Sequence, residues 1–162
     1  MQLNRLLNLI LRLPALALVG CASVPSSPAS SRAETVLFLC PHGGAKSVAA
    51  AAYFERAAQA SGIPITAVAA SAEDPYDAVP APVAERLERD GFCVRELVPR
   101  RVTRDDLGGA ARVVLIDCEL PPELRDAKAE LWSDVPMISV DLDGSVAAIQ
   151  QHVETLVREL GG

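Results

Sequence analysis

The chain has 162 residues, of which 50% are hydrophobic and 22% are charged. This length allows one ordinary domain with a short additional segment, and the composition excludes a disordered or collagen-like chain. There are 15 basic and 21 acidic residues, which give a formal charge of -6. This balance argues against a nucleic-acid-binding surface, because such a surface carries net positive charge.

The amino-terminal end has the organisation of an export signal. Residues 1–20 contain two arginines and no acidic residue, and an apolar run over residues 13–19 leads to Gly20 and Cys21. A positive end, a short apolar middle and small residues at the cleavage point predict a signal peptide over residues 1–20. The apolar middle is too short to span a bilayer. The alternative is an amphipathic helix with an incidental cysteine.

The sequence at residues 18–21 resembles a bacterial lipobox, in which the cysteine becomes the acylated end of the mature protein. The resemblance implies lipidation of Cys21 and a lipid-anchored location on the periplasmic side of the cell envelope. Ala22 favours the outer membrane. The acylated Cys21 and the Ser-, Pro- and Ala-rich residues that follow, up to residue 33, predict a flexible tether. Loss of residues 1–20 removes two positive charges, so -6 becomes -8, and membrane attachment would depend on the lipid.

Residues 34–162 predict one domain in which strands and helices alternate. Buried strands are predicted over residues 35–39, 65–70, 92–98 and 112–116. Helices are predicted over residues 46–60, 82–90 and 145–160, with a further helix start at 103–106 and a helical or turn-rich segment at 121–131. Such alternation predicts a parallel sheet between two layers of helices, a three-layer α/β/α fold.

The first predicted strand leads directly into the loop Cys40-Pro-His-Gly-Gly-Ala-Lys-Ser47, after which a helix begins. A loop in this position is the usual ligand site of parallel sheets. Its backbone N–H groups attract an anion, and Gly43 and Gly44 permit the tight turn that makes these groups converge. The same field favours the thiolate of Cys40, which makes it a candidate nucleophile, and Lys46 adds a positive charge.

This segment resembles the phosphate loop of the low-molecular-weight protein tyrosine phosphatases and the thioredoxin-coupled arsenate reductases, in which Cys, five residues, Arg and then Ser or Thr follow the first strand. The similarity extends over about residues 35–160. It implies a four-stranded parallel sheet, a cysteinyl-phosphate formed on Cys40, assistance to the thiolate from Ser47, and a phosphate-type oxyanion or phosphomonoester such as phosphotyrosine as ligand. The phosphate-binding residues that it implies are His42, Gly43, Gly44, Ala45 and Lys46.

Several loop positions depart from the family pattern. Lys46 replaces the family Arg, and lysine offers a point charge where arginine offers a bidentate fork. Oxyanion binding tolerates this change better than transition-state stabilisation does. His42 and Gly43 stand where the family has Gly and Asn, and His42 is either an oxyanion donor or a loop-surface residue. Ala45 replaces the second loop cysteine, so the neighbouring disulfide of the family cannot form.

The resemblance also implies a general acid, an Asp followed by Pro on a late loop. Here that position falls at or near Met137, which leaves Asp134, Asp141 and Asp143 as substitutes. Asp134 is the preferred candidate, and the alternative is a solvated loop carboxylate. Since a general acid contributes about 10²–10⁴-fold in rate, its loss predicts weak activity.

The predicted function is therefore phosphatase-like binding of an oxyanion, with weak Cys40-dependent hydrolysis in which Lys46, Ser47 and Asp134 take part. Two alternatives stay open: a non-catalytic envelope protein that binds an anionic partner, and an arsenate reductase. For the reductase, Cys118 lies one residue from the position of a resolving cysteine, and a second downstream cysteine is missing.

The other cysteines indicate no disulfide framework. With Cys21 assigned to acylation, an odd number remains, and Cys93 is expected in the core of the third predicted strand. Metal-ligand spacings and nucleotide-binding fingerprints are missing from the sequence, so neither a metal nor a cofactor is predicted. The sequence identifies no protein partner.

Overall fold

The computed structural model describes residues 34–162, so the predicted signal peptide, Cys21 and the tether lie outside the described residues. The described strands are β1 (Glu34–Cys40), β2 (Ile65–Ser71), β3 (Ala110–Ile116) and β4 (Glu130–Trp132). The described helices are α1 (Lys46–Ala60), α2 (Ala81–Arg89), α3 (Arg104–Gly109) and α4 (Leu142–Gly161), and a single 3-10 turn covers Pro122–Leu124.

The four strands form one sheet in the order β2-β1-β3-β4, and every neighbouring pair is parallel. Cys40 at the end of β1 lies opposite Ser71 at the end of β2, and Ile116 at the end of β3 lies opposite Trp132. The carboxyl ends of all four strands therefore meet at one edge of the sheet. The prediction of a four-stranded parallel sheet is confirmed.

Alternate residues of β1 face two different cores, as expected for an apolar strand buried on both sides. Val36 and Phe38 pack with residues of α1, α2 and α4, whereas Leu37 and Leu39 pack in a second cluster that α3 and the 3-10 turn help to cover. Phe38 contacts the rings of Phe54 and Trp132, with centroids 5.7 and 5.6 Å away. The sheet thus lies between two layers, which confirms the three-layer arrangement.

The strand predicted over residues 92–98 is wrong, because this segment is an irregular loop. Val94 is buried, but Leu97 and Val98 are 48% and 75% exposed, so the apolar residues do not form a buried strand face. Cys93 is exposed and is therefore not a core residue. The fourth strand of the sheet is instead β4, which lies at the end of the segment predicted to be helical or turn-rich.

Within residues 34–162, no helix is both long and apolar enough to cross a membrane. The three cysteines of this range, Cys40, Cys93 and Cys118, are free thiols.

Candidate functional site

The loop from Cys40 to Ser47 lies at the carboxyl end of β1 and leads directly into α1. Cys40 is 3% exposed and Ser47 is fully buried, and the Cys40 Sγ lies 3.2 Å from the Ser47 Oγ. A thiolate can only accept a hydrogen bond, so in that state the serine hydroxyl donates. This contact stabilises the charged form of the sulfur.

The backbone amides of the loop are not used in hydrogen bonds to protein groups within residues 34–162. In the described part of the chain, none of the amides from His42 to Val48 has a hydrogen-bond acceptor, and the first bond of α1 is donated by the amide of Ala49 to the carbonyl of Ala45 at 3.0 Å. Consecutive amides without protein partners at the start of a helix can donate their hydrogen bonds to an anion.

The carbonyls at the start of the loop, in contrast, have protein partners. The amides of Ala72 and Glu73 donate to the carbonyls of Cys40 and Pro41, and the amide of Tyr76 donates to the carbonyl of His42, at 3.0, 2.9 and 3.1 Å. The segment after β2 therefore binds the acceptor side of the loop. This arrangement fixes the orientation in which the loop amides are left available.

Gly43 is required at its position for two reasons. Its φ of +67° is in the left-handed region, and a Cβ atom there would lie 2.7 Å from the amide nitrogen of Ser71. At Gly44 a Cβ would lie 3.1 Å from side-chain atoms of Pro99 and Tyr76. Ala45, which completes the turn before α1, is buried. Close packing against the end of β2 therefore explains Gly43, and close packing against Pro99 and Tyr76 explains Gly44.

The ammonium group of Lys46 is hydrogen-bonded to other protein groups. The residue is 7% exposed, and its ammonium donates to the carboxylate of Asp117 and, at 3.1 Å, to the carbonyl of Val135. The loop cation thus has an internal counter-ion. A cation that is already paired attracts an anionic ligand less strongly than a free one.

Asp117 is the site residue that sequence analysis missed. It directly follows β3, at the same edge of the sheet as Cys40, and its φ of 50° is in the left-handed region. This conformation costs a residue with a Cβ about 1–2 kcal/mol, although Asp adopts it more readily than most. The sequence does contain a signal for Asp117: an acidic residue directly follows a buried strand, at the edge of a parallel sheet where ligands bind.

His42 is held at the rim of the loop. Its Nδ1 donates to the carbonyl of Asp74 at 2.9 Å, and its ring lies 4.6 Å from that of Tyr76. Since Nδ1 carries the proton of this hydrogen bond, Nε2 is the nitrogen left to meet a ligand.

Asp134 contacts α4. Its carboxylate accepts a hydrogen bond from the Nε2 of His152 at 2.7 Å, and this bond lowers the pKa of Asp134. The ring of His152 stacks on Trp132, with centroids 4.6 Å apart. A carboxyl group with a lowered pKa is a weaker acid catalyst at neutral pH because its proton is absent there.

The other candidate acids also have protein partners. Asp141 accepts from the amide of Gly144 at 2.8 Å at the start of α4, and Asp143 accepts from Arg86 at 2.8 Å. Met137 is 66% exposed. The residue that directly precedes Pro136 on this loop is Val135, which is 3% exposed and has no ionisable group.

A cleft of about 710 Å³ opens along the carboxyl edge of the sheet, between the segments that follow β2 and β3. Cys118 lines it, and burial raises the pKa of this thiol to about 12, with a smaller contribution from the neighbouring Cys40. Cys118 is therefore a thiol at neutral pH. Over residues 34–162, no cluster of three or more His, Cys, Asp or Glu side chains is arranged to hold a metal ion.

No protein-family model matches the sequence, and no curated protein matches it. Solved structures do match. The low-molecular-weight protein tyrosine phosphatase from T. tengcongensis has 17% identity and a TM-score of 0.63, covering 78% of this chain and 99% of its own. A protein tyrosine phosphatase from Entamoeba histolytica, solved with Hepes in the active site, has 14% identity and a TM-score of 0.65, covering 79% and 97%. The arsenate reductase from Archaeoglobus fulgidus has 26% identity and a TM-score of 0.56, covering 78% and 98%. Residues 34–162 thus have the α/β fold of low-molecular-weight phosphatases and arsenate reductases.

Proposed function

We propose that the loop from Cys40 to Ser47 binds a phosphate-type oxyanion and that Cys40 hydrolyses phosphomonoesters slowly. The observation that carries the proposal is the run of loop amides without protein acceptors beside a buried cysteine that contacts a serine hydroxyl. The Entamoeba phosphatase of the same fold holds Hepes, a sulfonate, in its active site. A sulfonate is an oxyanion, which agrees with this use of the fold.

In the proposed reaction the Cys40 thiolate attacks phosphorus, and the bond from phosphorus to the ester oxygen breaks. The leaving oxygen takes up a proton, and Cys40 carries the phosphoryl group. Water then cleaves the sulfur–phosphorus bond, which releases phosphate and regenerates the cysteine. Amides from His42 to Val48 stabilise the negative charge on the three non-bridging oxygens. Ser47 stabilises the thiolate when it forms and when it is released.

Slow turnover follows from two features of the site. The ammonium of Lys46 is paired with Asp117, so less positive charge meets the phosphoryl oxygens in the transition state. Protonation of the leaving group is also inefficient, because the candidate acid, Asp134, is hydrogen-bonded to His152. Asp134 can serve as the acid if substrate binding breaks this bond.

Hydrolysis of p-nitrophenyl phosphate by the full chain tests this proposal. We expect a slow rate that Cys40→Ser abolishes and that Cys93→Ser, which changes an exposed thiol, leaves intact. A large gain with Lys46→Arg would locate the defect at the loop cation. A fast wild-type rate that depends on Cys40 would contradict slow turnover, and a rate that survives Cys40→Ser would contradict the nucleophile.

A non-catalytic oxyanion-binding protein is the second candidate, and the pairing of Lys46 with Asp117 favours it. Such a protein would bind phosphate or an anionic partner at the cell envelope without turning it over. Titration of phosphate into the Cys40→Ser chain distinguishes the two candidates when it is combined with the hydrolysis assay. Binding without wild-type turnover supports this second candidate, and failure to bind excludes both.

Because the fold is similar to that of the Archaeoglobus arsenate reductase, a reductase is the third candidate function. Such a function needs a second thiolate to resolve the intermediate on Cys40, and the raised pKa of Cys118 opposes this role. Thiol-dependent reduction of arsenate by the wild type and its loss in Cys118→Ala would support the reductase.

We also propose that Cys21 is acylated and anchors residues 34–162 to the cell envelope, with the outer membrane favoured. The support is the lipobox-like sequence at residues 18–21 and the Ser- and Pro-rich segment after it. Metabolic labelling with palmitate tests this proposal. We expect label on the wild type and its loss in Cys21→Ala, and equal labelling of the two would contradict the anchor.

A further inference from the structure

The proposed function uses Asp117 only as the counter-ion that weakens Lys46, although its carboxylate also faces the cleft. Its carboxylate accepts a hydrogen bond from the ammonium of Lys46, which also donates to the carbonyl of Val135. The Lys46 side chain is 9% exposed, whereas that of Asp117 is 36% exposed. The carboxylate therefore lies on the solvent side of the buried cation, along the cleft.

This pairing determines which ligand charge the loop accepts. The loop amides attract any oxyanion, but the net charge of the Lys46–Asp117 pair is zero. The carboxylate of Asp117 repels an incoming anion and thereby offsets the attraction that Lys46 would otherwise exert. Because Coulomb energy is proportional to the product of the charges, this repulsion is twice as large for a dianion as for a monoanion.

The walls of the cleft add to the same effect. Arg101 and Arg125 are its cationic residues, and they pair with Asp74 and Glu119 at 3.5 and 3.2 Å. Of the two remaining carboxylates of the lining, that of Asp117 pairs with Lys46, and that of Glu73 has no ion-pair partner within residues 34–162. The acidic residues that line the cleft are Glu73, Asp74, Asp117 and Glu119. The lining includes Asp117 but none of residues 40–47, so an anion that approaches Asp117 along the cleft meets more negative than positive side chains.

We propose that Asp117 makes the loop selective for singly charged oxyanions, such as sulfate monoesters, phosphodiesters and sulfonates, over doubly charged ones. The inference rests on the proposed function, that the loop from Cys40 to Ser47 binds oxyanions. Asp117 is thus a residue that determines which ligand charge the loop prefers. Its removal would release the charge of Lys46 and shift the preference towards dianions.

Methyl sulfate and sulfate are suitable probes, because both are tetrahedral and their charges of one and two stay fixed across neutral pH. Calorimetric titrations use the full chain with Cys40→Ser, which removes turnover and the thiolate. We expect methyl sulfate to bind at least as tightly as sulfate. Adding Asp117→Asn should tighten sulfate binding about tenfold or more, and methyl sulfate by about the square root of that factor.

Two further variants complete the experiment. Glu119→Gln removes a carboxylate of the same cleft that is 85% exposed, so that solvent screens its charge. This change should alter the affinity ratio of the two anions less than twofold. Asp117→Gly also removes the carboxylate, and glycine adopts the positive φ of this position without strain. It therefore tests whether the result for Asp117→Asn comes from the lost charge. An unchanged ratio in both Asp117 variants would overturn the selectivity. Binding of neither anion to any variant would instead refute the oxyanion site itself, and the inference with it.

Discussion

The sulfur of Cys40 lies 3.2 Å from the hydroxyl oxygen of Ser47, at opposite ends of the loop that joins β1 to α1. Both residues are buried, Ser47 completely. The loop thus closes on itself through its two terminal side chains. The amides between them have no protein acceptors within residues 34–162, which is the basis of the proposed oxyanion site.

Replacing Ser47 with alanine should make Cys40 less reactive, because the thiolate loses a hydrogen-bond donor. We expect alkylation of Cys40 by iodoacetamide at neutral pH to slow by about tenfold or more, since a hydrogen bond to a charged group is worth about 1.5–3 kcal/mol. Mass spectrometry of the Cys40 peptide measures the rate. Ser61→Ala, at the other end of α1, is the control and should leave the rate unchanged. Equal rates in wild type and Ser47→Ala would contradict the contact.

Alanine at Gly43 should destabilise the protein more than alanine at Gly62. Both glycines have a left-handed φ, +67° and +69°, but only at Gly43 would a Cβ meet other atoms, 2.7 Å from the amide nitrogen of Ser71. Backbone strain alone costs about 1 kcal/mol at Gly62, and the clash should raise the cost at Gly43 to about 2–4 kcal/mol. Urea unfolding of the two variants measures the difference. Equal losses would show that the loop does not pack against the end of β2.

A capping interaction at α3 should make stability pH-dependent in a predictable direction. Two hydrogen bonds from Arg100, each 2.7 Å, lower the pKa of Asp106 to about 2, and Asp106 also caps the helix with Thr103. The folded pKa is below the unfolded value of about 3.9, so this stabilisation is complete above that pH and disappears as the pH falls through about 2.

Asp106→Asn should therefore lower the free energy of unfolding by about 1 kcal/mol at pH 7, because a neutral amide binds Arg100 less strongly than a carboxylate does. The difference from the wild type should shrink as the pH falls from about 4 towards 2. Denaturant unfolding at several pH values provides the measurement, and Asp105→Asn in the same helical turn is the control. A difference that grows on acidification would contradict the assigned direction.

Turnover should depend strongly on the leaving group, because the candidate acid Asp134 is hydrogen-bonded to His152 and the residue before Pro136, Val135, is not an acid. Phenyl phosphate needs protonation of its leaving oxygen more than p-nitrophenyl phosphate does. Val135→Asp should therefore raise hydrolysis of phenyl phosphate about tenfold or more and that of p-nitrophenyl phosphate less. Val135→Asn introduces a side chain of nearly the same shape as that in Val135→Asp but without an acidic proton, and it should give no gain. Equal gains in both variants would exclude acid catalysis as the cause.

The sequence is most informative where structure is local. The apolar run of β1, the glycine pair and the start of α1 follow each other in the chain, so the loop position is predictable from the order of residues. The strand predicted at 92–98 is wrong because a short apolar run does not reveal whether both its faces are buried, and Val98 is 75% exposed. The three-residue β4 was missed because it depends on pairing with β3 and has little pattern of its own.

The site shows the same limit. Cys40 and Ser47 could be paired from their spacing in one loop, whereas Lys46 and Asp117 are 71 positions apart and meet only through the order of the strands. The resemblance predicts a ligand for Lys46 but does not predict an internal counter-ion. The hydrogen bond between Asp134 and His152 of α4 is likewise a tertiary contact, which the order of residues does not reveal.

The most direct test of the oxyanion site is an amide chemical-shift titration of the isotopically labelled full chain with inorganic phosphate. The amides from His42 to Val48 have no protein acceptors within residues 34–162, so a bound oxyanion should accept their hydrogen bonds. We predict saturable shifts concentrated in these amides, with little change at Gly62 at the far end of α1. Phosphate that leaves the loop amides unshifted at millimolar concentration would contradict the site.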